Sequence, residues 1–201
     1  MGKQSAALDP RGLALYAFVS SITPGPNNLM LASSGLTFGV RRTLPHIAGI
    51  IAGCFVLIAA AGLGLGALFA AAPQLQTILK VAGALYLLYL AFRLWRAGEL
   101  KDSVDARPLS FRAAAAFQFV NPKALVMALT AVSAFTVAGD DYLTQLLLVC
   151  VVFSAVGLPC ISSWAVFGAT MRSLLRWPGA IVWFNRIMAA LTVGTAALMF
   201  A

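Results

Sequence analysis

The sequence predicts an all-α membrane protein, with six transmembrane helices as two inverted three-helix repeats and the first helix of each repeat broken at a Pro. Three observations carry this prediction. The 201 residues are 61% hydrophobic and only 10% charged, with a mean hydropathy of +0.92, whereas soluble domains carry about 25% charged residues. Long apolar runs alternate with short loops, and the cations concentrate in every second loop. A proline-containing polar break recurs at the matching place in each half of the chain. So few charged side chains cannot cover this much apolar area in water. A soluble enzyme, a nucleic-acid-binding domain and a disordered chain are therefore poor readings.

Spans were sought as stretches long enough to cross about 30 Å of hydrocarbon, roughly 20 helical residues. Residues 12–40 lack Asp, Glu, Lys and Arg but are interrupted by Thr23-Pro24-Gly25-Pro26-Asn27-Asn28. Residues 43–79 and 142–171 also lack those four residue types. The stretches 75–95, 111–138 and 180–201 carry Lys80, Lys123 and Arg186 respectively. Lys80 and Arg186 lie near span ends, where long side chains snorkel to the headgroups. Lys123 lies deeper. The expected spans are 12–39, 44–70, 75–95, 111–138, 142–169 and 180–201. They form one transmembrane domain: a first repeat over 12–96, a hydrophilic linker over 97–110 and a second repeat over 111–201.

The net charge of +8 comes from 14 Lys and Arg against 6 Asp and Glu. The cations fall between apolar runs, as in cytoplasmic membrane loops, so the expected partner is the lipid bilayer and no nucleic acid is expected. Arg41 and Arg42 mark the first loop, Arg93 to Arg112 the third, and Arg172, Arg176 and Arg186 the fifth. Odd loops are then cytoplasmic and both termini periplasmic. If the first, broken segment does not cross, five spans remain and the N-terminus faces inside. Met1 to Pro10 is polar and does not read as a cleavable signal peptide.

In the first half, eleven residues lead to Thr23-Pro24; in the second, eleven lead to Asn121-Pro122. Thr and Asn are good N-caps and proline is favoured at the first helical position, so each site reads as one half-helix ending and another beginning inside the bilayer. Irregular backbone survives there only when it is buried in protein or lines a wet cavity. Three spans per half is an odd number, so the halves must be inverted, as in many secondary transporters whose substrate sites lie at paired broken helices. Fresh helix N-termini suit a carboxylate. The carbonyls around Ser20–Ile22 and Gln118–Val120 suit an ammonium. With Asn27, Asn28, Asn121 and Lys123 nearby, a zwitterion fits best.

His46, after Pro45, is the one group whose ordinary pKa lies near neutrality and is a candidate proton carrier. Asp140 and Asp141 in the fourth loop are further candidates for a proton link, although a solvated turn explains them as well. No span holds a carboxylate. The Gly35/Gly39 and Gly49/Gly53 pairs and the Gly62-to-Gly66 run suit close helix contact. Cys54, Cys150 and Cys160 form no CxxC pair, so they read as small buried hydrophobes; no metal site and no cofactor is expected. Nothing resembles a catalytic triad or a phosphate loop, so the chain does not read as an enzyme.

The segments Thr23-Pro24-Gly25-Pro26-Asn27-Asn28-Leu29, Phe38-Gly39-Val40-Arg41-Arg42-Thr43-Leu44-Pro45-His46 and Phe117-Gln118-Phe119-Val120-Asn121-Pro122-Lys123-Ala124 resemble the lysine exporter (LysE/RhtB) superfamily of amino-acid exporters. The details around Asn27-Asn28 and Gln118 to Asn121 look closest to its cysteine/O-acetylserine branch. The resemblance implies a bacterial inner-membrane exporter of amino acids or close derivatives, of the cysteine/O-acetylserine or the homoserine, threonine or lysine type, driven by the proton motive force. By match it places the site on Thr23, Pro24, Gly25, Pro26 and Asn27 and on Asn121, Pro122 and Lys123. Two other readings stay open: an intramembrane thiol relay using Cys54 and Cys150, and a membrane assembly subunit without transport. A homo-oligomer is also left open.

Overall fold

A computed structural model describes residues 9–96, 107–174 and 179–197. Most of the linker expected over 97–110, the polar N-terminal residues before Asp9, the loop cation Arg176 and the last residues of the sixth expected span lie outside the described residues.

Helices account for nearly all of the rest, and no strand occurs among the described residues. The elements run α1 (Pro10–Ile22), α2 (Pro26–Phe38), α3 (Val40–Ala60), a π-helical turn (Ala61–Leu65), α4 (Gly66–Ala71), α5 (Pro73–Arg96), α6 (Phe111–Phe117), α7 (Pro122–Phe135), α8 (Tyr142–Leu174) and α9 (Ala180–Ala197). Each expected span contains one helix or one broken pair of helices. Four stretches are long and apolar enough to cross a membrane alone: Val40–Ala71, Gln74–Arg96, Tyr142–Leu174 and Ala180–Ala197. The pair α6 and α7, bent by 64°, makes a fifth if it is one span. Helices α1 and α2 have 13 residues each, about 20 Å apiece at 1.5 Å per residue. Neither crosses the hydrocarbon by itself.

The bends have local causes. In the Gly62–Gly66 run, Gly64 adopts φ +122, which only glycine takes readily, and the helix passes through a π turn there. Tyr142 donates from its hydroxyl to the Gly62 carbonyl at 2.6 Å. Gly39, at φ +78, ends α2 and turns the chain into α3. Arg172 donates to the Thr37 carbonyl in the last turn of α2, where a cation suits the helix dipole.

Helix α2 packs along α8, α5 along α9, α3 on both α6 and α8, and α1 on α8. The α2–α8 seam is built from small residues. A Cβ at Gly35 would lie 2.0 Å from the Ala165 carbonyl oxygen, and one at Gly168 would lie 1.8 Å from that of Ala32. Gly49 and Gly53 likewise meet the Phe111 and Ala115 backbone of α6. The GxxxG reading therefore holds for Gly49/Gly53 but only for Gly35 of the first pair, because Gly39 faces open space.

Polar bonds join the helices inside. Ser33 donates to Asn185 of α9, and Ser34 shares a 2.8 Å bond with Thr43 of α3. Large apolar side chains such as Leu15, Ile78, Leu85 and Val126 stay exposed, as a lipid-facing surface requires. At the end of α5, Trp95 lies 5.1 Å from the Arg186 guanidinium of α9, a cation–π contact that carries this cation across an apolar face.

Candidate functional site

The second break follows its expected design. Helix α6 ends at Phe117, and three tight turn bonds carry the chain to Asn121. Asn121 is the N-cap of α7, its Oδ1 accepting from Lys123 N at 3.2 Å, and Pro122 takes the first helical position.

The first break differs. Thr23 does not cap the following helix; it closes α1, with its hydroxyl donating to the Val19 carbonyl. Thr23 and Gly25 are extended (ψ 140 and 176), the conformation that a following proline imposes. Pro26 is then the proline at the start of α2, and Gly25 is its N-cap. Two prolines in three residues lengthen the break and move the new helix start by two positions. Gly25 offers no side-chain cap, so the first amides of α2 point onward without one.

Of the carbonyls expected to be free at the end of α1, those of Ser21 and Ile22 are taken, and so is that of Thr23. Asn28 donates from Nδ2 to the Ser21 carbonyl (2.9 Å) and to the Thr23 carbonyl (2.8 Å). Trp164 of α8 donates from Nε1 to the Ile22 carbonyl at 3.1 Å. Such groups cannot be left unpaired in a dry interior at a cost of roughly 1–3 kcal/mol each, so the protein supplies partners from two other turns.

Two links join the breaks across the molecule. Asn27 and Gln118 exchange a reciprocal amide pair: Asn27 Nδ2 donates to Gln118 Oε1 at 2.8 Å, and Gln118 Nε2 donates back to Asn27 Oδ1 at 3.2 Å. Gln118, fully buried, also donates to the Ala114 carbonyl and accepts from the Cys54 thiol at 3.6 Å. The second link is Lys123, whose Nζ donates to the Thr23 carbonyl at 2.6 Å and reaches the Pro24 carbonyl at 3.4 Å. Its stem lies over Gly25, where a Cβ would come 2.8 Å from Lys123 Cδ.

Beside these links lies a cavity of about 50 Å³, lined by Ser20, Ser21, Gly25, Pro26, Asn27, Asn28, Asn121 and Lys123 together with Ile50, Cys54, Phe153 and Gly157. At about 10–15 Å³ per water, it has room for three to five waters, the scale of a small polar head group. Both breaks thus meet at one cavity. Thr23, Pro24 and Pro122 shape the breaks without lining it.

The proton candidates lie elsewhere. His46 is buried on α3, with neither ring nitrogen hydrogen-bonded, and it does not line the cavity. Asp140 and Asp141 are exposed on the turn after Gly139. No cluster of His, Cys, Asp or Glu that could hold a metal occurs among the described residues. Three contributors escaped the sequence reading. The Gln118 side chain, Trp164 and Cys54 reach the breaks from neighbouring turns and helices, and nothing local in the sequence pairs them with Asn27 or Ile22.

The fold and the paired breaks can now be set beside known proteins. Residues 18–201 match the family model described as LysE type translocator. The chain is 31% identical, over 186 residues, to the cysteine/O-acetylserine efflux proteins of Escherichia coli (strain K12), Shigella sonnei (strain Ss046) and Shigella flexneri. The match covers 92% of this chain and 94% of each of theirs. No solved structure matches the chain. With its run of apolar helices it is a multi-pass membrane protein, and it belongs to the LysE type translocator family.

Proposed function

We propose that this protein is a secondary transporter that exports amino acids or close derivatives, of the cysteine or O-acetylserine kind, across the bacterial inner membrane. The observation that carries the reading is the joining of two broken helices by Lys123 and by the Asn27–Gln118 pair beside one small polar cavity. The cavity wall offers amide groups, uncapped helix amides and an ammonium, which suits a zwitterion. The residues that would meet the substrate are Gly25, Pro26, Asn27 and Asn28 on one side and Asn121 and Lys123 on the other, with Thr23, Pro24 and Pro122 setting the breaks that hold them. Relatives named for cysteine and O-acetylserine efflux support that substrate class.

The same reading takes the chain as six spans in two inverted repeats, with α1 and α2 forming one broken span. The packing supports it: α3 rests on α6 as α8 rests on α1, and α3–α8 and α5–α9 are like-with-like pairs. Energy comes from the proton motive force.

Cells expressing the protein and loaded with dipeptides are expected to accumulate one or a few amino acids, or O-acetylserine, in the medium. Pro24→Ala cells accumulate none above the empty-vector level, although the variant reaches the membrane. A protonophore stops wild-type export. Wild-type export by Pro24→Ala would sink the site assignment; an unchanged medium with wild type would sink the function.

Orientation is tested separately. In a cysteine-free background, a cysteine at Asp140 is expected to react with an impermeant maleimide added outside intact spheroplasts. A cysteine at Arg172 reacts only after permeabilisation. The reverse pattern would invert the topology.

A further inference from the structure

We infer that Lys123 is a displaceable tether, whose ammonium occupies the carbonyl subsite meant for the ligand's ammonium until the ligand's carboxylate draws it away. This rests on the amino-acid reading above and names how that site would recognise its ligand.

The bond itself is the first ground. A primary ammonium from one break sits 2.6 Å from the Thr23 carbonyl oxygen and 3.4 Å from that of Pro24 in the other. A ligand's α-ammonium has the same chemistry and would seek the same oxygens, which lie just beyond the cavity wall where the lining residue Lys123 reaches them.

The second ground is that Lys123 can leave. Asn28 already donates to the Thr23 carbonyl at 2.8 Å, so withdrawal of the lysine does not strip that oxygen of its last partner. The stem lies against Gly25, which has no side chain to trap it. Lys123 is half-buried and lines the cavity.

The third ground is charge. Among the described residues Lys123 pairs with carbonyls and with no carboxylate. Asp9, Asp140 and Asp141 are the acidic residues described, and none of them lines the cavity. A partly desolvated cation without a counter-charge gains most from an incoming anion. A zwitterion satisfies both needs at once: its carboxylate takes the lysine and its ammonium takes the vacated oxygens. An amine lacking the carboxylate must instead compete with Lys123 and be repelled by it. An acid lacking the ammonium leaves the carbonyl subsite unfilled.

Binding of S-methylcysteine, its decarboxylated amine and its deaminated acid to the purified full chain in detergent tests this. Wild type is expected to bind S-methylcysteine and to reject the amine and the acid. In Lys123→Met, S-methylcysteine weakens by about tenfold or more, the scale of one lost charge-assisted hydrogen bond, and the amine now binds. Lys123→Gln keeps a neutral donor for the carbonyls, so it preserves the fold if the methionine variant does not; it too loses the preference for the zwitterion. A lysine that only braces the break would be rescued by glutamine with ligand selectivity unchanged, and that result overturns the inference while leaving the exporter reading intact. If wild type binds none of the three compounds, the amino-acid reading fails and the inference fails with it.

Discussion

Gly168→Ala is expected to abolish export and most of the folded protein, while Gly194→Ala leaves both unchanged. The new methyl group at 168 would sit 1.8 Å from the Ala32 carbonyl oxygen, well inside contact distance. That atom belongs to backbone, so no rotamer change relieves it; α2 and α8 must separate. Overpacking of this kind costs about 1–3 kcal/mol and occasionally more. Separation here also disturbs the reciprocal contact, because a Cβ at Gly35 meets the Ala165 oxygen across the same seam. At Gly194 of α9, nothing lies within 4 Å of the added carbon. Fluorescence-detected size exclusion and thermal unfolding in detergent measure the difference. A Gly168→Ala protein that elutes, melts and exports like wild type would show that the seam is looser than the close contact implies.

Gln118→Leu is expected to reduce export at least tenfold, and Asn27→Leu to do the same. Each leaves the other amide without its partner, and for the fully buried Gln118 an unsatisfied polar group costs roughly 1–3 kcal/mol. The Gln118 change is the heavier because this fully buried side chain also serves the Ala114 carbonyl and Cys54. The double variant Asn27→Leu/Gln118→Leu should lose less stability than the two single losses added together, since no orphan amide remains from the pair. Groups in direct contact typically couple by about 0.5–3 kcal/mol. A strictly additive thermal-unfolding cycle would show that the amides do not depend on each other. Export by the double variant should stay low even where stability recovers, because the two breaks are then joined by Lys123 alone.

How much was legible follows from the range over which each residue acts. Apolar runs located every helix, because lipid demands continuous internal hydrogen bonding and apolar faces over whole spans. The second break was legible to the residue: Asn121 before Pro122 caps locally, and the structure shows that cap. The first was misread by two positions, since Pro24 and Pro26 both satisfy the rule for a helix start and only the backbone of Gly25 decides between them. The glycine pairs were half legible; spacing cannot distinguish Gly35, pressed on α8, from Gly39, which turns at positive φ. The links across the site were not legible. Trp164 bonds a carbonyl 142 positions away and Gln118 an amide 91 away, and no periodicity records such a pairing. Cys54 looked like one more small apolar residue on α3, yet it lines the cavity.

The bridge from Lys123 to Thr23 spans 100 positions of sequence, and that distance sets an order of events during synthesis. At about 5–20 residues per second, roughly 5–20 seconds separate the two residues on the ribosome. Throughout that interval the break after α1 stands without α7 and α8, so Thr23 lacks its lysine and Ile22 lacks Trp164. Asn28 is the partner that can arrive at once, five and seven residues from the carbonyls it serves. Of the partners these carbonyls have in the finished fold, Asn28 is thus the first to be made, and the lysine and the tryptophan come to a turn that already has a local bond available.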